Sequence, residues 1–324
     1  MRINVHAHYF PGPYLDLIEA LGPGEVDTSM GRRDAHPTHA ADAAPRIEAM
    51  DRAGVGMQIL SIATGGPYLA SETGAVTGAR AANDAYAEMV RLYPQRFKAF
   101  AALPLPHVDA ALAEMARAFD ELGMIGVGVA TKMGGKSLAD PSFDPLYEEL
   151  NRRGGVLFVH PIGHSCDSSL LESTGLRWPL GAPFEDTAAA LQLLQTGFVQ
   201  RFPNVRAIMP HLGGTLPFLV HRLDHQQGRF MNGHGTPSEL VKKFWYDSVN
   251  GNAAALRCAC DTFGVDRIVF GTDYPFWNGA AHQHAADYLD TAGLGAADVL
   301  AISEGNARAL FGAALELELR TDES

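Results

Sequence analysis

The sequence predicts an α/β fold, a TIM-type (β/α)8 barrel with an insertion after the first strand, and three observations lead there. Eight short β-branched or apolar runs alternate with longer segments of helical periodicity, the pattern of a parallel sheet covered by helices. No Gly-rich phosphate loop follows the first run, which makes a doubly wound open sheet the weaker choice. Several runs end in histidine or aspartate, and barrel enzymes hold their reactive groups at the carboxyl ends of their strands.

The runs are 3–8, 57–63, 97–103, 126–131, 156–160, 205–211, 244–249 and 268–273. Helices are predicted over 43–53, 79–93, 108–122, 144–153 and 184–202, stopped in turn by Gly54, Pro94, Gly123, Gly154 and Pro203. Gly accepts a left-handed cap and Pro cannot continue a helix. One domain is expected over 1–324, with two long connections, 9–42 and 160–181. Both should lie over the catalytic face and shape the substrate site. A helical extension and tail fill 296–324, and 315–324 is read as a frayed acidic end.

Composition excludes several classes. The chain is 47% hydrophobic and 19% charged, enough apolar residues for a sizeable core. A formal charge of −12 with no basic run argues against a nucleic-acid partner, which needs clustered Lys and Arg. No segment reads as a signal peptide or as an apolar bilayer span, so a cytoplasmic protein with no membrane contact is expected. Cys166, Cys258 and Cys260 are too few for a disulfide framework. Cys258 and Cys260, two apart on a helical stretch, read as small buried hydrophobes on different faces.

The chemistry gathers at strand ends. His6 and His8 are two apart on the first strand, so both imidazoles project to one side. His160 ends the fifth run, His211 the sixth and Asp273 the eighth, each as the last polar group of an apolar stretch. Burying several ionisable groups together is costly unless they are paired or bind a cation. Imidazoles with one carboxylate suit one divalent ion, Zn²⁺ first, with Mn²⁺, Fe²⁺, Co²⁺ or Ni²⁺ possible alternatives. An open position would hold a water of lowered pKa.

Several longer motifs accompany these residues. They are His6-Ala-His8, Arg46-Ile-Glu-Ala-Met-Asp51, Pro94-Gln-Arg-Phe97, Phe158-Val-His160-Pro161, His211-Leu-Gly-Gly-Thr-Leu-Pro217-Phe218, Gly271-Thr-Asp-Tyr-Pro-Phe276 and Gly305-Asn-Ala-Arg308. With them the chain resembles, over almost its whole length, the amidohydrolase superfamily. Within it, the likeness is to the branch of aminocarboxymuconate-semialdehyde decarboxylase and the non-oxidative benzoate decarboxylases.

The resemblance implies a single metal held by His6, His8, His160 and Asp273, with His211 and Asp273 as catalytic groups and His211 carrying protons. The carboxylated lysine of dinuclear relatives is missing, the nearest lysine being Lys132 past the fourth strand. The resemblance also implies an arginine from the first insertion that grips a substrate carboxylate, for which Arg32 and Arg33 are the candidates. It suggests a homodimer and no organic cofactor. Arg46 is read as a structural ion pair at a helix start.

His164, Trp178, Phe276 and Trp277 lie on loops beyond strand ends and are expected to line the substrate pocket. Asp247 ends the seventh run, where it could orient His211 or a loop. His221 and His225 are four apart on a helix without a zincin glutamate, which gives them a packing role. His282 and His284 have no assigned place.

The expected function is a metal-dependent decarboxylase of an aromatic or unsaturated carboxylic acid, a small-molecule carboxylate, with the metal water and His211 in proton transfer. A hydrolase or hydratase with the same ligands is the alternative. A binding protein with a closed structural metal is a third reading.

Overall fold

The computed structural model describes residues 1–163 and 168–316. His164, Cys166 and the end of the predicted tail, 317–324, lie outside the described residues.

The strands follow the eight predicted runs: β1 (Arg2–His8), β2 (Val55–Ser61), β3 in two pieces (Phe97–Ala99 and Ala101–Ala102), β4 (Val127–Ala130), β5 (Val156–His160), β6 (Arg206–Met209), β7 (Trp245–Asp247) and β8 (Ile268–Val269). Every pairing from β1 through β8 is parallel. The break in β3 falls at Phe100, whose N–H donates back to Leu60 O at 2.9 Å, while Ala101 N–H donates onward to Gly126 O at 2.8 Å. The segment after β8 returns to β1 through Val5 N–H to Phe270 O at 2.9 Å, Asp273 N–H to His6 O at 2.9 Å and His8 N–H to Tyr274 O at 2.6 Å. The strand order therefore runs from β1 to β8 and back to β1, as a TIM-type barrel requires.

Inside the ring, Ile3, Val5, Met57, Ile59, Phe158, Ile208 and Val269 form one buried cluster with Phe100, and Phe311 and Leu315 join it from the C-terminal segment. Leu315 is thus packed rather than frayed, because its apolar side chain finds a buried place beside Phe311. The second, larger cluster packs strands against helices.

Strict alternation would turn His6 away from the cluster that holds Ile3 and Val5. A register shift between Asn4 and Ala7 prevents this, and His6 lies 5.0 Å, ring to ring, from Phe158. Asn4 makes the irregularity affordable. Its Oδ1 accepts from the N–H groups of His6 and Thr272, both at 3.1 Å, and its Nδ2 donates to Thr272 Oγ1 at 2.7 Å. Donors that a bulge takes out of the ladder are thereby satisfied.

Most helices start earlier than their periodicity suggests. The one expected over 43–53 runs His39–Arg52, with Thr38 Oγ1 accepting from Ala41 N–H at 3.2 Å. That over 79–93 runs Glu72–Leu92 behind the Ser71 cap. The helix expected over 184–202 is two, Ala182–Gln195 and Phe198–Arg201, because Gly197 turns left-handed between them at φ 69°.

Arg46 lies within His39–Arg52 rather than at its start, and it is almost wholly buried. Its Nε meets Asp42 Oδ1 at 2.6 Å, Nη2 meets Oδ2 at 3.1 Å and Nη1 meets Gln58 Oε1 at 3.3 Å, and the rings of Tyr9 and Tyr274 flank the guanidinium. The pair ties the first insertion to β2 and to the loop after β8. Arg46→Met is expected to strand a buried carboxylate and to cost about 3–5 kcal/mol, read as a lower urea midpoint. An unchanged midpoint would remove the pair from the account of stability.

Candidate metal centre

Five ionisable side chains from four strand ends converge. His6 Nε2 is 3.1 Å from His8 Nε2 and 3.2 Å from Asp273 Oδ1, and His8 Nε2 is 3.0 Å from the same oxygen. One donor atom each from His6, His160, His211 and Asp273 lies within 4.8 Å of all the others. His6, His8 and His160 are buried, and the side chain of His211 is 16% exposed.

Each ring is held by its far nitrogen. His6 Nδ1 meets Asp247 Oδ2 at 2.7 Å, His8 Nδ1 meets Ser61 Oγ at 3.1 Å, and His160 Nδ1 donates to Pro161 O at 2.7 Å. His211 Nδ1 meets Asp186 Oδ2 at 2.8 Å. A proton on Nδ1 leaves Nε2 a bare lone pair, so the contacts of His6, His8 and His160 aim lone pairs into the cluster. Among the described residues His160 Nε2, which is buried, has no hydrogen-bond partner.

That orphaned nitrogen is the test of fit. Facing acceptors buried together are unfavourable unless a cation lies between them, and three imidazoles with a carboxylate are a donor set for a divalent ion. The charges agree. Burial opposes a proton on His6, but Asp247 and Asp273 outweigh it and push the imidazole up to about 9. Burial opposes the ionised form of Asp273, yet His6 and the neighbouring imidazoles hold it well below the carboxylate range. His160, buried and beside His8 and His6, is driven well below its ordinary value.

His211 and Asp273 both sit in the left-handed region, at φ 54° and 59°, a conformation that costs about 1–3 kcal/mol for a residue other than Gly. Asp247 holds the first of them: its Oδ1 accepts from the N–H of His211 at 2.9 Å and of Val249 at 3.0 Å. The expected alternatives for Asp247, orienting His211 or orienting a loop, are both met, through backbone, and it holds the His6 ring besides.

The cluster opens on a cavity of about 450 Å³ whose lining includes His160, His211, Asp273, Met30, Trp178, Val249, Asn250, Phe276 and Trp277. No lysine or arginine is among its described lining residues. Its walls are apolar and aromatic with polar groups converging at one end, the build of a small-molecule site.

An amidohydrolase family model matches residues 3–313. The chain belongs to the amidohydrolase family. Its relatives include the 2-amino-3-carboxymuconate-6-semialdehyde decarboxylase of Dictyostelium discoideum, 28% identical over 85% of this chain and 82% of that one. They also include the gamma-resorcylate decarboxylase of Rhodococcus jostii, 32% identical over 95% and 94%. A crystal structure of a dihydroxybenzoic acid decarboxylase from Polaromonas, with bound manganese and the inhibitor 2-nitroresorcinol, is 26% identical, with a TM-score of 0.83 over 96% of this chain and 97% of that one. This amidohydrolase is an enzyme of the decarboxylase branch.

Trp178, Phe276 and Trp277, expected at the pocket, do line the cavity. Arg32 and Arg33 do not: Arg32 is forked onto Glu19, with contacts of 2.9 and 2.7 Å, and meets Asp16 at 2.7 Å, while Arg33 is exposed near Met30. His164 lies outside the described residues. His221 and His225 are exposed on Leu216–Gln226, away from the cluster, so neither packs a core as expected. His282 is buried against Tyr274 and pushed down to about 4 by burial, and His284 bonds Gly251 O. Cys260 is buried but Cys258 is exposed, because residues two apart on the helix Ala253–Phe263 face different ways. Lys132 is in a short hairpin and outside the cluster. Among the described residues no helix is long and apolar enough to cross a membrane.

Asp186 and Ser61 were missed. Ser61 ends β2 as His8 and His160 end their strands, a signal available in the sequence. Asp186 lies inside a helix, where an acidic residue carries no mark of function.

Proposed function

We propose that this enzyme is a metal-dependent decarboxylase of a small aromatic or unsaturated carboxylic acid, with the cation held by His6, His8, His160 and Asp273. The unpartnered, buried His160 Nε2 at the floor of an aromatic-walled cavity carries the reading. A divalent cation bound there would supply positive charge for a carboxylate and a neighbouring hydroxyl to lie against. Zn²⁺ is the first expectation for these donors, and the manganese in the Polaromonas relative makes Mn²⁺ the second.

His211 performs the proton transfer. It is the imidazole of the cluster that reaches solvent, and Asp186, despite its burial, supports its charged form. Nε2–H gives its proton to the ring carbon that bears the carboxylate, forming a C–H bond. The bond from that carbon to the carboxyl carbon then breaks, its electron pair returns to the ring, and CO₂ leaves. His211 regains a proton from solvent. Trp178, Phe276 and Trp277 offer faces for a planar substrate. The names of the relatives, with gamma-resorcylate and dihydroxybenzoate among their substrates, support an ortho-hydroxylated benzoate as the first candidate.

Protein loaded with Zn²⁺ or Mn²⁺ and offered hydroxybenzoates and muconate-type acids is expected to release CO₂ from at least one. Chelation should slow that release about a hundredfold or more, close to 3 kcal/mol of lost stabilisation, and the metal should restore it. Turnover of esters or lactones in a parallel panel, with no CO₂ from any acid, would replace this reading with the hydrolase.

A further inference from the structure

We infer that Asp186 is the positioning residue of the proton carrier: it fixes the tautomer and ring direction of His211 so that Nε2 faces the substrate. The inference rests on the decarboxylase reading for its catalytic consequence. Its structural content stands on the geometry alone.

Each imidazole of the cluster has a partner on its far nitrogen, but the partners differ in kind. His8 has a hydroxyl and His160 a carbonyl; only His6 and His211 have carboxylates. The two carboxylates divide the work. Asp247 spends Oδ2 on the His6 ring and touches His211 only through its backbone N–H. The His211 ring is left to Asp186, at 2.8 Å and with no solvent exposure. An ionised carboxylate only accepts, so Nδ1 carries the hydrogen and Nε2, 3.9 Å from Asp273 Oδ2, is the nitrogen turned to the reacting end.

The helix Ala182–Gln195 that carries Asp186 also grips the turn that carries His211. Thr187 Oγ1 accepts from Thr215 N–H at 2.8 Å and meets Thr215 Oγ1 at 2.9 Å. The ring and its backbone are thus referred to one rigid element. The other carboxylate oxygen, Asp186 Oδ1, is buried with no hydrogen-bond partner among the described residues. An acceptor left so costs stability and calls for a reason, which the ion pair with His211 provides. An isosteric neutral group would keep the packing and lose that effect.

Asp186→Asn is therefore the decisive variant, examined in zinc-loaded protein. Long-range ¹⁵N–¹H correlation of ¹⁵N-histidine-labelled chain, with the His211→Gln spectrum assigning the signal, should show Nδ1–H in the native protein and its loss or sharing in Asp186→Asn. The kcat for CO₂ release should fall about a hundredfold or more, with KM within about twofold and zinc content unchanged. An unprotonated Nδ1 in native His211, an Asp186→Asn enzyme with native kcat, or a loss of zinc parallel to the loss of kcat would each overturn the assignment. If the native protein releases CO₂ from no acid, the decarboxylase reading fails and the tautomer decides the Asp186 assignment by itself. The same native spectrum decides it if Asp186→Asn does not fold.

Discussion

Replacing His160 with alanine is expected to abolish metal binding and decarboxylation together. His160 ends β5, is buried with an unpartnered Nε2 among the described residues, and belongs to the group whose donor atoms, with those of His6, His211 and Asp273, lie within 4.8 Å of one another. Its Nδ1 is already committed to Pro161 O, so the ring has one lone pair to give and one direction in which to give it. Alanine removes the donor and leaves a gap that neither neighbouring imidazole can close, since each is tied from behind by Asp247 or Ser61. Metal content by elemental analysis should fall to background and CO₂ release by about a thousandfold or more, since cation stabilisation is worth several kcal/mol. Native metal content in this variant would show that His160 is a packed core imidazole, and the proposed centre would have to be rebuilt without it.

His211→Gln should behave differently. Glutamine keeps a polar group near the cavity but cannot exchange a proton near neutral pH, so kcat should fall by about 10²–10⁴ while the metal stays. His211 Nε2 is 3.9 Å from Asp273 Oδ2, and its donor lies in the same 4.8 Å group as those of His6, His160 and Asp273, so its role is decided by experiment. Steady-state kinetics beside elemental analysis distinguishes the roles. Parallel loss of metal and rate would make His211 a ligand, and an unchanged kcat would take it out of the proton transfer.

Much of this is legible in the sequence. His160, His211 and Asp273 are visible in the sequence because each closes an apolar run, and an ionisable group at that place costs energy without a partner, while His6 and His8 are visible by their spacing of two at the end of the first. The inward direction of His6 was legible only in part. Its pairing with His8 follows from alternation, but its facing the same interior as Val5 depends on the register shift that Asn4 and Thr272 sustain. The arginines show the opposite case. Arg32 carries the right charge in the right insertion, yet Glu19 and Asp16 take its guanidinium, and no pattern in the chain announces which of several carboxylates will reach it first.

The sequence by itself determined the order of strands and helices, the ends of those strands that carry ionisable groups, and the family. Periodicity, caps and motifs are local, and eight parallel strands in sequence order leave few ways to close. Tertiary structure alone decided which group stands behind each imidazole. Asp186 reaches His211 across 25 positions, Asp247 reaches His6 across 241, and Asn4 reaches Thr272 across 268. Such pairs depend on how side chains from distant elements are aimed once the barrel has closed, and hydrogen bonds tolerate errors of only a few tenths of an ångström.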